Sequence, residues 1–345
     1  MARIFSRIRS ISLFIVLFAL FSFLFRQNSY ALPDPHASAV LYSSDTRQNL
    51  REVILQAIYS AKKSITILIY AIQDPSIISA LKMKAAEGVN VSVLFDPVAS
   101  IDAPWHLGKE IHAIPVRSGH GLMHLKLISI DGEQAWIGSC NLTRDSLSLH
   151  GNLLAGILSP PLAEIIEQRA KEMQGVVPKN RAPFQIDAKD QHFELFFSPQ
   201  QGKQALNKID SLLKSARKTI KVASYTFTHP DLAQDLIDAK IRGVSVQVLF
   251  DKDSSVNTSK TIFQKLKKAN VPIGVRKAQG LMHHKFAWID DEILIMGSAN
   301  WTKAAFTKND EITCVISPLT EEQHETMKKT WDAMVENSTL QKKEV

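Results

Sequence analysis

The chain is written twice, and that duplication limits its fold more than any other feature. Ser60-Ala61-Lys62-Lys63-Ser64-Ile65 returns 155 residues later as Ser215-Ala216-Arg217-Lys218-Thr219-Ile220. At the same offset Tyr70 meets Tyr225, Pro75 meets Pro230, Gly88 meets Gly243, and Val93-Leu94-Phe95-Asp96 meets Val248-Leu249-Phe250-Asp251. Beyond Asp251 the offset becomes 159, so the second copy has gained four residues, and Gly121-Leu122-Met123-His124 meets Gly280-Leu281-Met282-His283. A unit repeated at this length implies two lobes with one fold, related by a pseudo-twofold axis.

Each copy reads as helix, strand, helix, strand, a pair of strands and a last helix, an α/β order. Leu50, Val53, Ile54, Ala57 and Ile58 form a stripe of period 3.6, predicting a helix over 47–61, and Ile65–Ile69 is a β-rich run behind it. Asp74-Pro75 opens the next helix, Gly88 closes it, and Val89–Phe95 is the following strand. The expected organisation is a first lobe over 38–173, a linker over 174–190 rich in Gly, Pro and charge, a second lobe over 191–336, and a frayed polar tail over 337–345.

The copies agree most closely where they look least like core. His124-Leu125-Lys126, four residues, Asp131, six residues and Gly138-Ser139-Cys140-Asn141 match His283-His284-Lys285, four residues, Asp290, six residues and Gly297-Ser298-Ala299-Asn300. On a strand His124 and Lys126 share one face. Asp131 stands an odd number of residues from Lys126, beside Gly132 in a hairpin turn, so it and Asp290 are expected to serve structure, as are Gly138 and Gly297. Ser139 and Asn141 are again two apart and can donate toward the same place as the histidine and lysine. Each copy thus supplies half of a phosphate site. With both halves present, one imidazole attacks phosphorus while the other protonates the departing oxygen and later activates water. The lysines and asparagines stabilise the charge of the five-coordinate transition state.

The doubled HxKxxxxDxxxxxxGSxN pattern resembles the phospholipase D superfamily over about residues 38 to 336. The resemblance implies two α/β/α sandwich lobes with the site at their interface, lined by His124, Lys126, Asn141, His283, Lys285 and Asn300 and supported at the phosphate by Ser139 and Ser298. It also implies an acidic residue beyond GSxN that backs the histidine of the opposite motif. Glu311 stands eleven residues past Asn300, whereas Asn152 stands eleven past Asn141. Glu311 is therefore expected to back His124 as nucleophile, and Asn152 to sit beside His283 as general acid/base.

No metal or other cofactor is expected. His120 and His124 are four apart and His283 abuts His284, but the segments read as loop and strand, not as a metal-binding helix. His120 and His284 are read as bystanders at the pocket rim, Trp136 and Trp288 as core, and Trp301 as a substrate contact. Cys140 and Cys314 are too few for a disulfide framework and are expected as buried thiols.

Arg3, Arg7 and Arg9 precede the apolar run 11–25, and Ser29-Tyr30-Ala31 offers small-x-small spacing, so residues 1–31 read as a secretory signal. The alternative is an anchor retained through residues 11–25. Cleavage removes four arginines and lowers the formal charge from +7 to +3, too little for a strong nucleic-acid footprint. The Lys214, Arg217, Lys218, Lys221 and Lys265, Lys267, Lys268 clusters read as solvated helix faces. The leading expectation is a secreted or periplasmic phospholipase D that hydrolyses a glycerophospholipid at a membrane surface through a covalent phosphohistidine. A metal-independent endonuclease acting on nucleic acid comes second, a cardiolipin synthase-like transferase third, and a binding module without catalysis last. One chain holds both halves, so no protein partner is required.

Overall fold

The computed structural model describes residues 30–34, 37–119 and 121–340. The leader reading, apart from its last two residues, and His120 lie outside them. The described residues from Pro33 onward form one compact unit. Among the described residues no helix is long and apolar enough to cross a membrane.

The first lobe runs β1 (Val40–Ser43), α1 (Leu50–Ser60), β2 (Ser64–Ile69), α2 (Pro75–Ala86), β3 (Asn90–Phe95), α3 (Ala103–Leu107), β4 (His112–Pro115), β5 (Lys126–Ile130), β6 (Gln134–Gly138), α4 (Arg144–Ser148), β7 (Leu153–Leu158) and α5 (Pro160–Met173). The second runs β8 (Phe184–Ala188), β9 (Gln191–Ser198), α6 (Gly202–Ser215), β10 (Thr219–Ser224), α7 (Pro230–Ile241), β11 (Ser245–Phe250), α8 (Lys252–Val256), α9 (Lys260–Lys268), β12 (Ile273–Val275), β13 (Lys285–Ile289), β14 (Ile293–Gly297), α10 (Lys303–Thr307), β15 (Glu311–Ser317) and α11 (Glu321–Glu336). The sheet orders are β1-β7-β6-β5-β2-β3-β4 and β12-β11-β10-β13-β14-β15-β9-β8. Read from opposite ends they are the same order, with β8 added at one edge. The mixed α/β character and the duplicated lobes agree with the sequence reading.

Local chemistry sets the element ends. Asn49 caps α1 by accepting from Glu52 N, and Arg47, at φ 64°, cannot belong to the helix that the stripe placed over 47–61. Asp74 accepts from the backbone of Ser76 and Ile77 at the start of α2, and Pro75 fits the first turn, whose N–H needs no partner. The second copy gains five residues between β11 and β12, where α8 and α9 take the place of α3, and loses one between β12 and the histidine, a net gain of four.

Three readings need correction. The 174–190 segment is not only linker, because β8 pairs with β9 and places Phe184 and Ile186 against the core. The chain beyond Glu336 is held as far as Leu340: Asn337 O accepts from Lys277 N, Thr339 N donates to Val275 O, and Ser338 is buried. The strand pattern also lacks β1 and β7 with their counterparts β9 and β15, which complete the sheets beyond β6 and β14, and the edge strands β4 and β12 beside β3 and β11.

A single apolar layer joins the lobes. It holds Leu68, Leu94, Leu125 and Leu127 of the first sheet, Ala223, Leu249, Phe286 and Trp288 of the second, Leu162 and Ile166 of α5, and Met327 and Trp331 of α11. Side chains from both halves share this core, which fixes the strand ends carrying the two motifs against each other.

Candidate functional site

Each histidine stands two residues before a central strand, and each is held by the other lobe. His124 N donates to Asp310 O at 2.9 Å, and His283 N donates to Gly151 O at 2.8 Å. The pairs Met123 with Asp310 and Gly151 with Met282 are short parallel bridges between lobes. Behind the first, the buried Arg169 guanidinium reaches Asp310 at 2.7 Å and Glu172 at 3.0 Å. Behind the second, buried Asp45 binds Arg276 at 2.8 Å and His284 at 2.6 Å. His284 is therefore no rim bystander: it faces away from His283, is fully buried, and is committed to an acid of the other lobe.

The imidazoles have different partners. His124 Nδ1 lies 2.8 Å from Glu311 Oε2, and because a carboxylate can only accept, Nδ1 carries the proton and Nε2 keeps its lone pair. His283 Nδ1 lies 3.1 Å from Asn152 Oδ1. Asn152 is oriented by its own network, its Nδ2 donating to Ser146 O at 2.9 Å and its Oδ1 accepting from Ser139 Oγ at 2.8 Å. That arrangement makes Oδ1 the atom facing the ring. The equivalent Ser298 Oγ donates to Glu311 Oε2 at 2.6 Å. The serine hydroxyls are thus spent on Asn152 and Glu311; they support the imidazoles' partners and not, as the sequence reading had it, the phosphate.

Lys126 Nζ donates to His124 O at 2.8 Å and Lys285 Nζ to His283 O at 2.7 Å, folding both ammonium groups back beside the imidazoles. Both lysines and both histidines are at least nine-tenths buried. Burial pushes Lys126 down to about 7 despite the pull of Glu311 and Asp96. Burial and then the charge of Lys126 hold Lys285 well below the usual lysine range. His283 is likewise held well below the histidine range, by burial, by Lys285, and by Lys126 and His124 of the opposite lobe. His124 is lowered by burial and by Lys126 and Lys285, with Glu311 opposing. So many cationic groups cannot all hold protons in one dry place, and a bound anion would relieve them.

Asn300 Oδ1 accepts from Thr226 N at 3.3 Å. Asn141 Oδ1 is buried without a protein partner, and its backbone N–H donates to Ser146 Oγ. A Cβ on Gly138 would stand 2.7 Å from Leu153 O and one on Gly297, at φ 143°, 2.2 Å from Ile312 O, so neither position tolerates a side chain as the strand turns toward the site. Asp131 and Asp290 sit at the far ends of β5 and β13. Asp131 accepts from the backbone of Lys62, Lys63 and Ser64, and Asp290 from that of Arg217, Lys218 and Thr219.

Several site groups lie outside the two motifs. The Tyr70 ring packs on His124 at 4.9 Å and under Lys126 at 5.3 Å, while Tyr225 repeats both contacts on His283 and Lys285 at 5.2 and 5.1 Å. Asp96 Oδ2 accepts from Met123 N and Asp251 Oδ2 from Met282 N, fixing the residue before each histidine. His150 places a third imidazole 6.2 Å from that of His283, where the other copy has Asn309, which donates to Glu311. Trp301 is not a substrate contact: it is buried edge-on against Phe227 at 5.0 Å. Trp136 and Trp288 are core, and Cys140 and Cys314 are buried free thiols. The one group of three metal-capable side chains among the described residues, Glu321, His324 and Glu325, lies on the first turn of α11.

Known proteins share both lobes. A family model described as "Cardiolipin synthase, PLD-like domain" matches residues 54–174 and 209–334. The mitochondrial cardiolipin hydrolase of Chlamydomonas reinhardtii is 33% identical over 129 residues, 37% of this chain and 56% of that protein. Cardiolipin synthase A of Pseudomonas putida is 28% identical over 297 residues, covering 76% of this chain and 62% of its own. The chain thus spans about half to two thirds of the length of these relatives. Phosphatidylserine synthase of Haemophilus influenzae has the same fold, with a TM-score of 0.69 at 13% identity over 90% of this chain and 89% of that one. With both motif-bearing lobes matched, the chain belongs to the phospholipase D-like superfamily.

Proposed function

We propose that this protein is an exported phospholipase D that hydrolyses a glycerophospholipid to phosphatidate and a free alcohol, without a metal ion. The observation that carries the reading is the unequal backing of the two imidazoles, Glu311 on His124 and Asn152 on His283. In the first step His124 Nε2 attacks phosphorus, a P–N bond forms, and the bond from phosphorus to the headgroup oxygen breaks. The imidazole becomes cationic as it attacks, and Glu311 stabilises that charge. His283, once a bound phosphodiester anion has raised its proton affinity, gives its Nε2 proton to the departing oxygen; neutral Asn152 does little to hold that proton back. In the second step His283 takes a proton from water, the oxygen attacks phosphorus, and the P–N bond breaks. Lys126, Lys285, Asn141 and Asn300 face the phosphoryl oxygens. The relatives' names, a cardiolipin hydrolase and a cardiolipin synthase, favour a lipid diester as the substrate.

The test incubates the full chain in EDTA with labelled phosphatidylcholine or with plasmid DNA, and maps the acid-labile phosphoenzyme. Lipid turnover with inert DNA and phosphate on His124 is the expected result. DNA cleavage without lipid turnover assigns the endonuclease instead, activity lost to EDTA removes the metal-free route, and phosphate on His283 reverses the roles.

A further inference from the structure

The two copies differ in the excursion that leaves the sheet beside each histidine. In both, an aspartate at the end of the third strand caps the excursion with one oxygen and holds the residue before the histidine with the other. Asp96 Oδ1 accepts from Val98 and Ala99 N while Oδ2 accepts from Met123 N. Asp251 Oδ1 accepts from Asp253 and Ser254 N while Oδ2 accepts from Met282 N. In the first lobe buried Ser100 adds a second tie, its Oγ lying 3.3 Å from the carbonyl of Tyr70, whose ring packs on His124. The excursions therefore form two fixed lips of one site.

Their outer surfaces are opposite in character. The second lip exposes Lys252, Asp253, Asn257, Thr258 and Lys260 with a single apolar residue, Val256. The first exposes Val98, Ile101 and Trp105 at 83%, 76% and 87%, within eight residues. Residues 97–108 contain no lysine or arginine, and Asp102 is their one fixed charge. Internal packing does not account for these three side chains, because Ser100, Ala103 and Leu107 already supply the buried face of the same segment. The segment itself offers a polyanion no cation, and Lys109 just beyond it is followed by Glu110, whereas a tryptophan together with two exposed aliphatic residues is what the boundary between headgroups and acyl chains accommodates.

We propose that the lip of Val98, Ile101 and Trp105 docks the enzyme on a phospholipid bilayer, inserting beside the His124 half of the site so that the scissile diester is presented at headgroup depth. This rests on the phospholipase reading and adds the surface by which the lipid is reached.

Trp105 reports on it directly, since the other four tryptophans, Trp136, Trp288, Trp301 and Trp331, are buried. The full chain is mixed with phosphatidylcholine vesicles containing brominated acyl chains, and emission is compared with that of Trp105→Phe. The apolar run 11–25 can bind lipid by itself, so the readout is quenching of the Trp105 component and not co-sedimentation. Expected are a blue shift and quenching of that component. Expected also is a loss of roughly tenfold or more in vesicle hydrolysis for Val98→Ser/Ile101→Ser/Trp105→Ser. A soluble short-chain phosphodiester should be turned over by this variant at the wild-type rate. Trp105 emission that ignores vesicles, or responds to plasmid DNA or a protein instead, overturns the proposal, as does undiminished vesicle hydrolysis by the triple variant. The soluble diester separates the two readings: if the wild type fails to cleave it the chemistry is wrong, while Trp105 quenching still decides the lip.

Discussion

Asp131 belongs to the motif by sequence and to the scaffold by geometry, and Asp131→Asn separates the two. Its Oδ1 accepts from Lys63 N at 2.6 Å and Ser64 N at 2.9 Å, and its Oδ2 from Lys62 N at 2.8 Å, pinning the α1–β2 junction to the β5–β6 turn. Asn has the same shape and accepts the left-handed backbone found there, φ 57°, so the change removes charge and one acceptor without added strain. One bond lost and two left without charge assistance amount to about 2 kcal/mol, and the solvent-open turn lowers that to about 1–2 kcal/mol. In a chain of this size thermal unfolding should fall by about 1.5–3 °C. The backbone bonds hold the carboxyl below the usual aspartate range although partial burial opposes them. Its contribution is therefore present above the unfolded value and is lost as pH falls through the lower folded one, so the wild-type advantage should vanish in acid. Turnover of a soluble phosphodiester by the folded variant should stay within about threefold of wild type. An Asp131→Asn protein with unchanged unfolding but turnover reduced a hundredfold would refute the assignment of this carboxylate to structure.

Glu311→Gln removes the charge behind His124 while keeping an acceptor; kcat should fall roughly 10- to 100-fold, with slower formation of the phosphoenzyme in a rapid quench. Lys126→Met should abolish turnover yet stabilise the fold. The buried ammonium, held at about 7, leaves the unfolded chain binding more protons between about pH 7 and 10, so the wild type carries a penalty of a few kcal/mol that is greatest below pH 7, read by denaturation at pH 6 and pH 10. Burial raises the Asp45 carboxyl, but the hydrogen bond and charge of His284 and then Arg276 outweigh it and hold the group at about 2. Its contribution of about 2 kcal/mol is present above pH 4 and is lost as pH falls toward 2. Asp45→Asn should therefore lower stability at pH 7 by about that amount or more and flatten the acid limb of the unfolding curve.

The legible part of this molecule is what strand geometry forces to be periodic. His124 and Lys126 could be placed together because the chain leading into β5 keeps a strand's alternation, and the exact repeat marked both halves of the site; Ser139, expected beside Asn141 at the phosphate, lies past β6 and turns to Asn152 instead. The same rule, applied one residue further, would have put Trp301 opposite Asn300 and His284 opposite His283; adjacency in sequence was mistaken there for a shared face. Asp45 and Arg169 were invisible for a different reason. Their partners lie 239 and 141 residues away in the other lobe, and no local pattern marks a contact that only the pseudo-twofold packing creates. The all-apolar β7 carries no alternation, since both its faces are covered. What the duplication cannot encode is direction, because two identical halves would make a site with no distinguished nucleophile. Direction must come from the positions where the copies part: Glu311 against Asn152, Asn309 against His150, and a polar lip against an apolar one. All of these lie around the two imidazoles, so divergence between the copies is a better guide to what this site does than the residues they share.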